Sequence, residues 1–174
     1  MSKCTKTKLG FLAFSFVVIL ISDQVSKMLI HERFHWGESL VLIPNFFSLT
    51  YVRNQGAAFG FMHKAPEWFR DPFFLIMPLV VMVFIAVLFA RVTAEMARWR
   101  LWVSGYCLIL SGAVGNLIDR LRFGYVIDFI DLHWKEYYHY PAFNVADSAI
   151  VIGVGILLIL TFLDERQRKH SVKS

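Results

Sequence analysis

The stretch Phe143-Asn144-Val145-Ala146-Asp147-Ser148 is followed by a run from Ala149 to Leu163 that contains no charged residue. This run has the composition and nearly the length of a membrane-spanning helix. A carboxylate inside such a helix is costly unless it is paired, hydrated or neutralised, so it usually marks a functional site. The position of Asp147 near the start of the helix therefore predicts a site there, and the rest of the chain indicates what surrounds it.

The composition is that of a membrane protein. Of the 174 residues, 57% are hydrophobic and only 18% are charged, whereas soluble domains are about 45–50% apolar. The length predicts a single membrane-embedded domain over residues 1–174. The two cysteines, Cys4 and Cys107, are too few for a disulfide framework.

Four segments are apolar enough to cross a membrane. An even number of spans places both termini on the same side. The predicted spans are roughly Leu9–Ile30, Phe73–Ala90, Leu101–Ile118 and Phe143–Leu163.

The basic residues are segregated along the chain. They concentrate in the two termini and in the connection between the second and third spans. The positive-inside rule places these segments in the cytoplasm, and the first and third connections outside. Membrane topology thus accounts for the net charge of +5, and we expect no nucleic acid partner.

The first connection, about His31–Pro72, contains signals for β-structure. The side chains follow a period-two pattern, typical of strands, around Phe46–Val52 and Ala58–Met62. The sequence Asn54-Gln55-Gly56 between these stretches favours a turn. The predicted fold class is therefore a membrane all-α protein with four transmembrane helices and a small β-element on the outer surface.

Polar side chains gather at the outer ends of the predicted spans. Asp23 and Lys27 are four residues apart, which predicts an ion pair on one face of the first span. Asn116 and Arg120 share a face of the third span by the same spacing.

The run Tyr125–Leu132 reads as an extended segment of β-branched and aromatic residues. Alternation places Asp128 on one face with apolar neighbours, Val126 and Ile130, which is an unusual environment for a free carboxylate. Asp131, three residues later, points to the opposite face, and we expect it to be structural.

These residues fall at one depth of the membrane. Two carboxylates brought together there cannot both ionise cheaply, so the pair shares a proton and supplies one acid and one base. That is the chemistry of an aspartic protease, which needs no metal. Asp128 and Asp147 suit it best among the converging residues Asp23, Asn54, Asn116, Arg120, Asp128, Asn144 and Asp147.

The other polar residues fit supporting roles. Asn116 and Asn144 can orient carboxylates or contact a peptide backbone, since an amide both donates and accepts. Asn54, beside the turn, is a candidate substrate contact. Lys27 and Arg120 are better suited to structural pairing or to an anionic head group than to catalysis, because Arg keeps its proton.

A different class of function is compatible with the same residues. Intramembrane Asp, Lys and Arg could form the relay of a small ion- or proton-coupled transporter. The depth of the charged residues in the membrane argues against a transporter. A relay should place ionisable groups through the midplane, whereas the second and fourth spans are uncharged there. The six histidines lie mostly in the outer connections and the tail, and we expect no metal site.

Taken together, the motifs resemble those of one family, bacterial lipoprotein signal peptidase (signal peptidase II). The resemblance covers nearly the whole chain, and the order of the motifs is more specific than any single one. The matching stretches are Asp23-Gln24-Val25-Ser26-Lys27, Asn54-Gln55-Gly56-Ala57-Ala58-Phe59, Gly115-Asn116-Leu117-Ile118-Asp119-Arg120, Val126-Ile127-Asp128-Phe129 and Phe143-Asn144-Val145-Ala146-Asp147.

The resemblance implies an intramembrane aspartic endopeptidase of the bacterial cytoplasmic (inner) membrane. Its substrate is a prolipoprotein, cut just before a cysteine that carries diacylglycerol; membrane lipid surrounds it, and neither a cofactor nor an oligomer is required. The family's catalytic aspartates fall on Asp128 and Asp147, and its β-cradle carries a short mobile helix, here about Pro66 to Asp71 or just after Phe59. Its other polar site residues correspond to Asp23, Lys27, Asn54, Asn116, Arg120 and Asn144.

Overall fold

The computed structural model describes residues 3–56, 66–93, 96–135 and 137–171. Four of its helices are long and apolar enough to cross a membrane, and the strands form one small antiparallel sheet. The predicted fold class is confirmed. In chain order the elements are α1 (Lys3–Arg33), β1 (Ser39–Ile43), β2 (Phe47–Asn54), α2 (Glu67–Ala90), α3 (Trp99–Phe123), β3 (Val126–Trp134), β4 (Tyr138–His139) and α4 (Val145–Ser171).

Helix α3 extends further than the predicted third span. It continues beyond Ile118 to Phe123 and ends at Gly124, whose φ of 77° lies in the left-handed region that glycine adopts without strain. The N–H of Gly124 donates to the carbonyl of Arg120 and closes the last turn. Asp119 and Arg120 are therefore helical residues that face neighbouring elements, rather than part of a loop.

Helix α2 also begins earlier than predicted. Pro66 precedes its first turn, and the Pro66 carbonyl accepts hydrogen bonds from the N–H groups of Phe69 and Arg70. The prediction of a separate short helix at about Pro66 to Asp71 is wrong at that location, because Glu67 starts a continuous helix that runs to Ala90. The other predicted location, just after Phe59, lies outside the described residues.

The sheet has the strand order β1-β2-β3-β4. The predicted strand around Phe46–Val52 is β2, but its partners are β1 on one side and β3 on the other. The second alternating stretch, Ala58–Met62, lies outside the described residues. The partner β3 was not expected because a contact between residues so distant in the chain leaves no local sequence signal.

Helix α3 is the most buried of the four helices and contacts α1, α2 and α4. Two small residues of α3, Ser111 and Gly115, are four residues apart and buried, and such a pair permits close helix contact. A Cβ atom on Gly115 would lie 2.5 Å from the Oδ2 atom of Asp23. Glycine at this position therefore allows an acidic side chain of α1 to lie against the backbone of α3.

We expect Gly115→Ala to destabilise the protein by about 1–3 kcal/mol, since the added methyl group overpacks the helix contact and displaces Asp23. The measurement is thermal unfolding in detergent. Gly155→Ala in α4 is the matched control, because its added Cβ would meet no atom within 4 Å. Equal melting temperatures for the two variants would contradict the close approach.

Candidate active site

The first turn of α4 is fixed by a capping box. Asn144 is the N-cap residue, and its Oδ1 atom accepts a hydrogen bond of 2.9 Å from the N–H of Asp147. In return, the Oδ2 atom of Asp147 accepts from the N–H of Asn144 at 3.3 Å. The carboxylate of Asp147 thus lies at the N-terminus of α4, where the helix dipole stabilises negative charge.

The second carboxylate, Asp128, lies near the start of β3 and is only 1% exposed. Asn54 lies on the adjacent strand β2, where it is paired with Val126, two residues from Asp128. Its side-chain amide donates a 2.8 Å hydrogen bond to Asp128 Oδ2. The other oxygen, Oδ1, accepts a 2.7 Å hydrogen bond from the Nδ2 atom of Asn144.

Two amides connect the carboxylates. Asn144 contacts Asp128 through its side chain and Asp147 through its backbone. Asn116 of α3 donates from Nδ2 to Asp147 Oδ1 at 2.7 Å, while its Oδ1 atom accepts from Asn144 Nδ2 at 3.2 Å. Asp128 and Asp147 are therefore held by one hydrogen-bonded network that spans β3, α3 and α4.

Beneath this network lies a buried cluster of charges centred on Lys27. Its Nζ atom is 2.9 Å from Asp23 and 3.0 Å from Asp119, and it donates to Asn116 Oδ1 at 2.8 Å. The predicted pair of Asp23 and Lys27 is confirmed. Asp23 also accepts a 2.8 Å hydrogen bond from the N–H of Ala146, so it caps the helix that carries Asp147.

Asp119 is a buried residue whose importance sequence reasoning missed. It is 1% exposed and accepts a 3.1 Å hydrogen bond from the N–H of Ile127 at the start of β3. Gln24 was also missed, and its amide donates to both Asp23 and Asp119. A signal was available, because Asp119 follows Asn116 by three residues and so lies near the same helix face.

A cavity of about 640 Å³ opens beside the two carboxylates. Arg120 lies at its edge, where the guanidinium donates a 3.3 Å hydrogen bond to the carbonyl of Gly56 and stacks over Phe74. Most of the remaining wall is apolar. The lining residues include Asn54, Asn116, Asp128, Leu132, Pro141, Phe143, Asp147, Ile150 and Val151.

Burial, which has the largest effect, and the neighbouring charge of Asp147 together raise the pKa of the Asp128 carboxyl to about 7. The hydrogen bonds from Asn54 and Asn144 act in the opposite direction because they favour the ionised form. Near neutral pH, Asp128 is thus able to hold a proton that an exposed aspartate would have lost.

All eight predicted site residues meet at one end of the helix bundle, although their assigned roles remain predictions. Seven are joined by hydrogen bonds or ion pairs, while Arg120 contacts the same cavity from its edge. Asp131, for which we expect a structural role, is not among the residues that line the cavity.

We expect Lys27→Met to destabilise the fold by about 3–5 kcal/mol, because it leaves the buried carboxylates of Asp23 and Asp119 without a positive partner. Thermal unfolding at neutral pH measures the effect. Arg33→Met, at an exposed position on the same helix, is the control and should change stability little. Similar unfolding of both variants would show that the buried cluster does not depend on Lys27.

The pKa of Asp128 also predicts a pH dependence of stability. Because the folded chain keeps this proton up to about pH 7 and the unfolded chain loses it near pH 4, the folded state binds more protons between these values. This group therefore makes the free energy of unfolding fall as pH rises from about 4 to about 7. Asp128→Asn cannot ionise and removes that contribution.

The expected result is that the melting temperature of Asp128→Asn, relative to that of the parent, increases as pH is raised from 5 to 8. Measuring the difference at each pH cancels contributions from groups that do not interact with Asp128. A difference that stays constant across this range would contradict the raised pKa of Asp128.

Comparisons with known proteins agree with this geometry. The sequence model of the family described as signal peptidase (SPase) II matches residues 15–163. The lipoprotein signal peptidase of Syntrophotalea carbinolica is 48% identical over 147 residues, which cover 84% of this chain and 88% of that protein. That of Geobacter metallireducens is 46% identical over 151 residues, covering 87% and 90%.

Solved structures are also similar. A bacterial membrane enzyme solved at 2.3 Å resolution superposes with a TM-score of 0.77 and 31% identity, covering 90% of each chain. A second, solved at 1.9 Å, has a TM-score of 0.73 and 30% identity, covering 87% of this chain and 92% of the other. With a family match across most of its length and relatives of this similarity, the chain belongs to the signal peptidase II family of membrane peptidases.

Proposed function

We propose that this protein removes the signal peptide from diacylglyceryl-modified prolipoproteins, cutting before the lipidated cysteine, with Asp128 and Asp147 as its catalytic pair. One observation carries the assignment of the pair. The two carboxylates come from β3 and α4, line the same cavity and are joined through Asn144 and Asn116. No other pair of acids lines this cavity in the described part of the chain.

The environments of the two acids suggest their roles. Asp147 is the base, since the N-terminus of α4 and the amide of Asn116 stabilise its charge. Asp128 is the acid, because burial lets it keep its proton near neutral pH. The two aspartates thus take different roles, one as acid and one as base, because their environments differ although their side chains are identical.

In the reaction, Asp147 takes a proton from a water molecule while the water oxygen attacks the scissile carbonyl carbon. Asp128 donates its proton to the carbonyl oxygen, which yields a neutral tetrahedral intermediate. When the C–N bond breaks, the proton held by Asp147 passes to the amine of the cysteine, and the hydroxyl proton returns to Asp128. The chemistry needs neither a metal nor an organic cofactor.

The amides and the charge cluster position these acids. Asn144 and Asn116 set the orientation of the two carboxylates, and Asn54 holds Asp128 from the sheet side. Lys27, with Asp23 and Asp119, anchors the cluster beneath them. Arg120 stands at the mouth beside Gly56, where it can meet the polar part of a substrate.

The shape of the cavity supports a lipid-modified peptide as substrate. The polar groups occupy one wall, and apolar residues occupy the rest. Val151 and Ile152 of α4 line the cavity and are also exposed on the outer surface of the bundle. An acyl chain can therefore follow α4 into the surrounding lipid while the peptide bond stays at the polar wall.

The arrangement of the helices supports a location in the bacterial cytoplasmic membrane with both termini in the cytoplasm. The end of α1, the end of α3 and the start of α4 lie together with the sheet, which supports a site at the outer face. Basic residues occupy the opposite end of the bundle, where Arg98 pairs with Asp164 at 2.9 Å.

We expect Asp128→Asn and Asp147→Asn each to reduce cleavage of a diacylglyceryl-modified prolipoprotein by at least about 10²- to 10⁴-fold, the usual contribution of a positioned acid or base. Cleavage is followed by gel mobility with purified protein in detergent and EDTA. Thermal unfolding establishes that each variant is folded.

Asp131→Asn is the matched control, since it removes a carboxylate three residues away that does not line the cavity. It should retain parental activity. Full activity of Asp128→Asn or Asp147→Asn would refute the catalytic pair, and loss of activity in EDTA would show that a metal takes part.

A further inference from the structure

The hairpin formed by β3 and β4 carries a cluster of metal-binding side chains outside the active site. Asp131 and His133 are two residues apart on β3, so they share one face of the strand. His139 is the register partner of His133 on β4 and stands directly opposite it. Their potential ligand atoms all lie within 4.8 Å of one another.

The spacing of these atoms is that of ligands around an ion rather than of hydrogen-bond partners. Asp131 Oδ2 is 3.6 Å from His133 Nδ1, and Asp131 Oδ1 is 3.6 Å from His139 Nδ1. Both distances exceed the range of an N–H···O hydrogen bond. Two ligands about 2.1 Å from a tetrahedral ion lie about 3.4 Å apart, close to what is observed.

A second observation points into the same space. The Nδ1 atom of His133 is buried and has no hydrogen-bond partner among the described residues. Buried polar atoms are nearly always satisfied, so a nitrogen of this kind is available to bind an ion. The ring of His133 also stacks on that of His139, with centroids 5.0 Å apart, which keeps both imidazoles aimed at Asp131.

We propose that Asp131, His133 and His139 bind one divalent ion of the zinc class. Two imidazoles and a carboxylate suit late first-row transition ions, whereas Mg²⁺ and Ca²⁺ prefer oxygen ligands. His139 is 58% exposed, which gives the ion a path from solvent and leaves room for a water molecule as the fourth ligand. The ion has no part in catalysis, because its ligands do not line the active-site cavity.

The hairpin has a physical need for such an ion. Strand β4 contains only Tyr138 and His139 and pairs with β3 through two residue pairs, and short two-stranded ribbons are marginally stable. The segment that follows, from Tyr140 to Phe143, forms one wall of the cavity. An ion at the hairpin would tie β4 to β3 and thereby stabilise the hairpin without being needed for cleavage.

The test is isothermal titration of ZnCl₂ into the metal-free full-length protein, in detergent and with any affinity tag removed. We expect one bound ion per chain and an increase in melting temperature on binding. His133→Gln and His139→Gln should each weaken zinc binding by at least about 10- to 100-fold. Metal sites lose this much affinity when a residue that only hydrogen-bonds to a ligand is mutated, so the loss of a ligand itself should cost no less. Zinc should no longer raise the melting temperature of either variant.

Two controls locate the ion. His35→Gln removes an exposed histidine away from the cluster, and Asp128→Asn removes the acid of the catalytic pair; both should bind zinc like the parent. Unchanged binding in His133→Gln and His139→Gln, or loss of binding in Asp128→Asn, would overturn the proposal. The absence of stoichiometric binding by the parent would also overturn it.

Discussion

The ion cluster around Lys27 is the interaction on which the rest of the site depends. One ammonium group forms ion pairs with both Asp23 and Asp119 and also donates a hydrogen bond to Asn116. Through these three contacts it joins α1 to α3, and through Asp23 it reaches the N-terminus of α4. A buried charge survives only when it is paired and hydrogen-bonded, so the three helices must meet in this one arrangement.

The active site is built on this foundation as a second layer. Asp119 holds the start of β3, which brings Asp128 over the helices, and Asp23 holds the start of α4, which presents Asp147. The amide of Asn116 then connects Lys27 to Asp147, and the amide of Asn144 bonds to Asp128. Buried polar networks of this kind specify one geometry because a partly satisfied network is costly.

Sequence reasoning succeeded where a physical signal was local. Apolar length predicted the four spans, and four-residue spacing predicted the pair of Asp23 and Lys27. The ordered motifs predicted which residues would converge. It failed where partners are distant in the chain, because the position of β3 beside β2 leaves no periodic signal. The burial of Asp119 was missed although its three-residue spacing from Asn116 is a local signal.

The opening stretch shows the same division. The sequence by itself determined that Asp147 heads a membrane helix, because the uncharged run from Ala149 to Leu163 that follows it has the composition and nearly the length of a span. Only the tertiary structure decided that Asn144 caps that helix and at the same time bonds to Asp128. The reason is physical, since an asparagine has several donors and acceptors, and which of them find partners depends on what the fold brings within about 3 Å.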